Sequence, residues 1–267
     1  MDVRMSDRTR QAVVAVSTVL ALALAAIGSG AFIGTPIQDA AGGALDADST
    51  LLAPGRGAFQ IWGVIYLGLV AYGLYQALPG QAARERHRRI GWWAAASMLL
   101  NAAWILVVQA GLLALSVPVI ALLLAVLVVI VLRLGPPASI VDRVVGDGTF
   151  GLYLGWVTIA TVANVTALLQ YRGFAGFGLA PEAWALVVLL VAAAIGVGTA
   201  VRDGARFTPA IALAWGLAWI AVARSTAEPQ SAPVAVAAGV AAAVVLLAPI
   251  VLRLRRATAR SRRPALV

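Results

Sequence analysis

Residues 90–112 read IGWWAAASMLLNAAWILVVQAGL, twenty-three positions without one charged side chain. A bilayer crossing needs about 20 such residues in a helix. The stretch is preceded by Arg84, Arg86, Arg88 and Arg89, and it carries two amides, Asn101 near its middle and Gln109 near its end. Working outward, comparable stretches lie at 11–33, 57–79, 115–134, 150–171, 182–201, 207–225 and 233–252, which makes eight. Thr35-Pro36, Leu78-Pro79-Gly80, Gly135-Pro136-Pro137, Ala180-Pro181 and Glu228-Pro229 separate most of them. No segment alternates apolar and polar residues as a transmembrane barrel strand does. The expected fold is all-α: a polytopic integral membrane helix bundle with eight transmembrane helices. The first stretch is read as a retained span, because its apolar part is long for a signal peptide and no clean small-x-small cleavage site precedes a polar mature start.

The arginines test this count independently. With the N-terminus and the C-terminus both cytoplasmic, seventeen of the 20 arginines fall in inner segments. Only Arg56, Arg172 and Arg224 fall outside, so every loop obeys the positive-inside rule. Losing one internal helix would invert every later loop. The expected location is the plasma membrane of a bacterial cell, with the lipid bilayer as first partner. The basic tail from Arg253 to Arg263 lacks interleaved aromatics and is read as a contact for anionic headgroups, not for nucleic acid.

Composition excludes several functions. Of 267 residues, 62% are hydrophobic and 12% charged; soluble domains carry about 25% charged residues. There is no cysteine and only one histidine, His87, so thiol chemistry and histidine-based metal clusters are excluded. There is no lysine, hence no Schiff base. No acid or arginine lies near the centre of a span, which argues against proton pumps and ion-coupled transporters. Gly173–Gly178 (GFAGFG) does not match a dinucleotide fingerprint and reads as a turn. No acid/base pair in the membrane supports an enzyme.

The informative residues are aromatic and amide. Phe59, Trp62 and Tyr66 share one face of the second helix, and Ser97, Asn101 and Trp104 share one face of the third. On the fifth, Tyr153, Trp156, Ala160 and Asn164 fall within an arc of about 80° at 3.6 residues per turn. Gly151 and Gly155 form a GxxxG pair on the opposite side, suited to close helix contact. Trp92 and Trp93 follow an arginine cluster and read as an interfacial belt. Asn101 and Asn164 should point inward, since an amide facing lipid is costly. Each of these residues alone is explained by helix packing. Together they outline a pocket for a large flat apolar molecule.

APGRGAFQIWGVIYLG (53–68), MLLNAAWILVVQAG (98–111) and GLYLGWVTIATVANVTAL (151–168) resemble the tryptophan-rich sensory protein family, also called translocator protein or peripheral-type benzodiazepine receptor. The resemblance implies a five-helix core over residues 1–172, its helices covering roughly 11–172; the three additional helices and basic tail at 173–267 depart from the family's five. It implies a receptor, sensor or translocator that binds a planar hydrophobic ligand, porphyrin- or haem-like, with no obligatory cofactor. Carried over by motif, Trp62, Asn101, Trp104 and Trp156 would line the pocket, with Tyr66, Tyr153 and Asn164 as further ligand-binding candidates. Residues 35–56 would form a lid, with Pro54 near its end. A homodimer is left open.

The competing function is a uniporter or exporter of a small neutral or hydrophobic solute. AWILVVQ (103–109) and AWIAVAR (218–224) hint at a parallel repeat of four plus four helices. Otherwise Trp215 and Trp219 are packing or belt residues. The expected boundaries place Trp62 near one end of its helix and Trp156 near the other end of its own, a depth difference of roughly 12–15 Å.

Overall fold

The computed structural model describes residues 3–28 and 35–261. Eight long helices cross: α1 (Val3–Gly28), α2 (Ile61–Ala77), α3 (Glu85–Gln109), α4 (Leu113–Arg133), α5 (Thr149–Tyr171), α6 (Pro181–Arg202), α7 (Phe207–Thr226) and α8 (Ala232–Ser261). All eight are long and apolar enough to span a membrane, and no strand occurs among the described residues. The chain is an all-helical, multi-pass membrane bundle.

Local chemistry sets the ends. Leu78 is extended before Pro79, which stops α2. Pro181 opens α6, where its missing N–H would have had no helical partner. Between α3 and α4, Gly111 adopts φ +71°, and Leu112 N–H donates to Val107 O while Gly111 N–H donates to Val108 O. This is a glycine C-cap that turns the chain within three residues. A π-helix at Asp142–Gly148 runs directly into α5, so that crossing extends over 30 residues, Asp142–Tyr171. The first helix starts earlier than the apolar run suggested and takes Asp7, Arg8 and Arg10 into its first turns. Residues 29–33 of the expected span lie outside the described residues.

Five helices close a ring in the order α1, α2, α5, α4, α3. The other three extend it sideways: α7 packs on α5, α8 on α7, and α6 on α8. The α5–α7 seam uses the GxxxG pair. A Cβ on Gly151 would stand 2.0 Å from Thr208 Oγ1, and one on Gly155 would stand 2.2 Å from the Pro209 carbonyl oxygen. Only glycine lets these backbones approach so closely. Contacts of α5 with α7 and of α7 with α8 mirror those of α1 with α3 and of α3 with α4, whereas α6 packs chiefly on α8 and its counterpart α2 chiefly on α1. Leu67, Leu74, Leu132 and Leu190 are exposed, as side chains facing acyl tails should be.

The arginine-rich end is pinned by ion pairs. Asp7 joins Arg10 and Arg88, and Asp147 joins Arg86 at 2.7 Å and Arg206 at 3.7 Å. Arg206 also donates to Val131 O and Leu134 O, and Arg253 donates to Ala205 O. The opposite end carries the first loop.

Candidate functional site

The loop over 35–60 folds back onto the bundle as two short helical turns, 40–43 and Arg56–Gln60, with Ile37, Ala40, Leu45, Leu52 and Ala53 buried. Beneath it the face of α2 forms an aromatic cluster. Trp62 stacks on Tyr66 at 5.2 Å between centroids and 21° between planes. It meets Tyr153 edge-on at 5.8 Å and Trp156 at 6.2 Å. Phe59 meets Trp156 edge-on at 5.6 Å. Each such pair is worth about 0.5–1.5 kcal/mol beyond its buried area.

Trp62, Asn101, Trp104 and Trp156, together with Leu45 and Pro54 from the loop, line one cavity. It encloses about 500 Å³ of non-atom space including its mouth, with about 30 Å³ open to the centre of a water-sized sphere. Its lining is almost wholly apolar, with one amide, the side chain of Asn101. Asn101 donates from Nδ2 to Tyr66 Oη at 2.9 Å. Its Oδ1 is buried without a partner, and so is the indole Nε1 of Trp156. A buried donor or acceptor left unpaired costs about 1–3 kcal/mol. Here an orphaned donor and an orphaned acceptor belong to two residues of the same wall.

The remaining candidates stand behind that wall. Tyr66 holds Asn101. Tyr153 is fully buried and its hydroxyl donates to Ser97 O at 3.2 Å. Asn164 accepts from Trp104 Nε1 at 2.8 Å and donates to Ser116 Oγ at 2.8 Å, so its amide is consumed in joining α3, α5 and α4. Ile120 and Leu123 of α4 also line the cavity. Nothing in their apolar run distinguishes them from other aliphatic residues, and Ser116 reveals its role only through its neighbours.

The expected depth difference between Trp62 and Trp156 is corrected: the two indoles touch. The π-helix adds seven residues ahead of Thr149, so the crossing begins well before α5 and Trp156 sits deep in the bundle. On the other side, Leu45 and Pro54 of the loop line the same cavity as Trp62.

The loop is held from two sides. Arg56 pairs with Asp39 at 2.7 Å and with Asp46 at 2.5 Å. Burial opposes the charge on Asp46, but the Arg56 guanidinium and the Ala47 N–H outweigh it and hold the carboxyl below its ordinary range. From the added helices, Trp215 Nε1 donates to Ala58 O at 2.9 Å, and Gly55 N–H donates to Trp219 O at 3.1 Å. The Trp219 ring lies where any Cβ on Gly55 or Gly57 would stand, at 2.9 Å and 2.2 Å. Trp215 and Trp219 are therefore the seat of the loop, a role their i, i+4 spacing did not reveal.

An eight-helix bundle with an aromatic cavity under a seated loop has the build of a membrane receptor or transporter. The TSPO-like protein family model matches residues 12–251, and the chain belongs to that family. The match does not stop at residue 172 and takes in the three added helices. No curated protein and no solved structure matches the chain.

Proposed function

We propose that the protein is a membrane receptor or sensor that binds a planar hydrophobic molecule, porphyrin- or haem-like, in the cavity beneath the loop, without obligatory turnover. The observation that carries this reading is the pair of orphaned atoms, Trp156 Nε1 and Asn101 Oδ1, in the wall of an otherwise apolar aromatic cavity. A ligand that accepts from the indole and donates to the amide would satisfy both. Space for a few water centres is far below the roughly 300–1,000 Å³ of a pocket for a drug-sized ligand, so binding requires the loop to move. Titration of the purified protein with protoporphyrin should quench tryptophan fluorescence saturably. A Trp62→Ala/Trp156→Ala variant that binds protoporphyrin as tightly as the wild type overturns the site.

A second reading, export or uniport of a small solute, is favoured by one observation. At the arginine-rich end, Arg10 Nε, Tyr72 Oη, Gln76 Oε1 and both His87 nitrogens are also buried and unpartnered. Tyr72 and His87 lie 5.7 Å apart between ring centroids. Polar groups at both ends of the ring suit a path through it. Liposomes holding the protein should then take up the solute faster than empty vesicles, and equal rates remove this reading.

A further inference from the structure

Arg224, near the end of α7, is 1% exposed. It belongs to none of the ion pairs among the described residues. Its guanidinium donates to two neutral carbonyls, Pro229 O and Ala47 O, and its Nε has no partner. Asp48 and Glu228 act on it only from beyond ion-pair distance. A cation buried against carbonyls alone is costly and is normally retained with an anion. The arginine of the loop itself, Arg56, is already taken by Asp39 and Asp46.

The position of Arg224 relative to the cavity follows from the loop. Leu45, Pro54 and Phe59 line the cavity, while Ala47, Gly55 and Ala58 are held by Arg224, Trp219 and Trp215 of α7. The two sets interleave, so one side of the loop closes the cavity and the other side sits on α7. Ala47 is two residues from Leu45, at most about 7 Å along the chain. A movement that carries residues 45–47 off the cavity also takes the Ala47 carbonyl away from Arg224.

We propose that Arg224 is the anion-binding residue at the entrance of the cavity, so that the ligand is a planar apolar molecule bearing a carboxylate. This rests on the reading of the cavity as a ligand pocket. With the loop displaced, the guanidinium loses Ala47 O and offers two or three N–H donors in the fork geometry that suits a carboxylate. The closed loop and the bound acid then compete for one side chain, which makes Arg224 both the latch of the empty state and the anchor of the filled one.

The test uses the whole chain described above in detergent and two probes, protoporphyrin IX and its dimethyl ester, which share a ring and differ in charge. The wild type should bind the acid at least tenfold more tightly than the ester. Equal affinities overturn the proposal without any variant. Arg224→Gln should bring the ratio to near one by weakening the acid alone, and Arg56→Gln should leave the ratio as in the wild type. Arg224→Lys, which keeps charge but not the fork, should give an intermediate ratio and serves if the glutamine variant does not fold. An unchanged ratio in Arg224→Gln, or loss of the ratio in Arg56→Gln, overturns the assignment to Arg224 and leaves the pocket standing. A wild type that binds neither probe overturns the pocket itself.

Discussion

The indole N–H of Trp104 donates to Asn164 Oδ1 at 2.8 Å, and the same Asn164 amide donates onward to Ser116 at 2.8 Å. One amide thus joins three helices immediately behind the cavity. Both Asn164 and Ser116 are fully buried. Asn164→Leu should destabilise the protein by about 1–2 kcal/mol, the upper range for interhelical hydrogen bonds in membranes. Protoporphyrin affinity should hold within about threefold, since the residue does not face the ligand space. Chemical denaturation in detergent reads the first quantity and fluorescence titration the second. A variant of wild-type stability that has lost binding would put Asn164 in the pocket.

Trp156 presents the opposite case. Its ring packs against Phe59 and Trp62, but its Nε1 has no partner. Trp156→Phe keeps an aromatic ring and removes only an unused donor and part of the ring. Affinity for a planar ligand with an acceptor should fall about five- to tenfold, which corresponds to one hydrogen bond of 1–1.5 kcal/mol. A planar hydrocarbon without acceptors should bind the variant at least as well as the wild type. Parallel losses for both ligands would mean that the indole N–H contributes nothing.

The eight crossings were legible because apolar length and arginine placement are both set by the bilayer, and both leave marks on the sequence. The convergence of Trp62, Asn101, Trp104 and Trp156 was legible because the 3.6-residue period puts each on an inward face. Tyr153 and Asn164 share those faces, yet they stand behind the wall; periodicity fixes direction around a helix but not how far inside a side chain ends. The contact between Trp62 and Trp156 was not legible, since nothing in DRVVGDG (142–148) marks a π-helix that leads into α5. The seating of the loop on Trp215 and Trp219 was equally hidden. Its signals, Gly55 and Gly57, lie over 150 residues away and read as ordinary loop glycines.

The α5–α7 seam depends on the absence of a side chain at Gly155. A Cβ there would meet Pro209 O at 2.2 Å and Leu213 N at 2.8 Å, both of them backbone atoms that cannot rotate away. Gly155→Ala should therefore cost about 1–3 kcal/mol through overpacking. Gly63, on α2, has nothing within 4 Å of the same added atom, and Gly63→Ala should be neutral or stabilising. The comparison of the two alanine variants by thermal denaturation separates seam contact from a general effect of glycine in helices. Equal stabilities would mean that α7 does not sit on α5 as described. Because α7 carries the seat of the loop, Gly155→Ala should also raise amide exchange over residues 46–58.

The ion pair of Arg56 with Asp46 gives the loop a defined response to acid. Burial raises the Asp46 carboxyl and the bonds from Arg56 and Ala47 lower it further than burial raises it, leaving it below the ordinary 3.8. A carboxyl lowered in the closed state stabilises that state in full above its open-state value and loses the contribution as pH falls through the depressed value. Amide exchange over residues 44–58, corrected for intrinsic rate, should be flat from about pH 8 to pH 5 and rise only below about pH 4. Asp46→Asn should reproduce the acid behaviour at pH 7, with Arg56 left to Asp39 alone. A rise already between pH 7 and pH 5 in the wild type would assign control of the loop to a group other than Asp46.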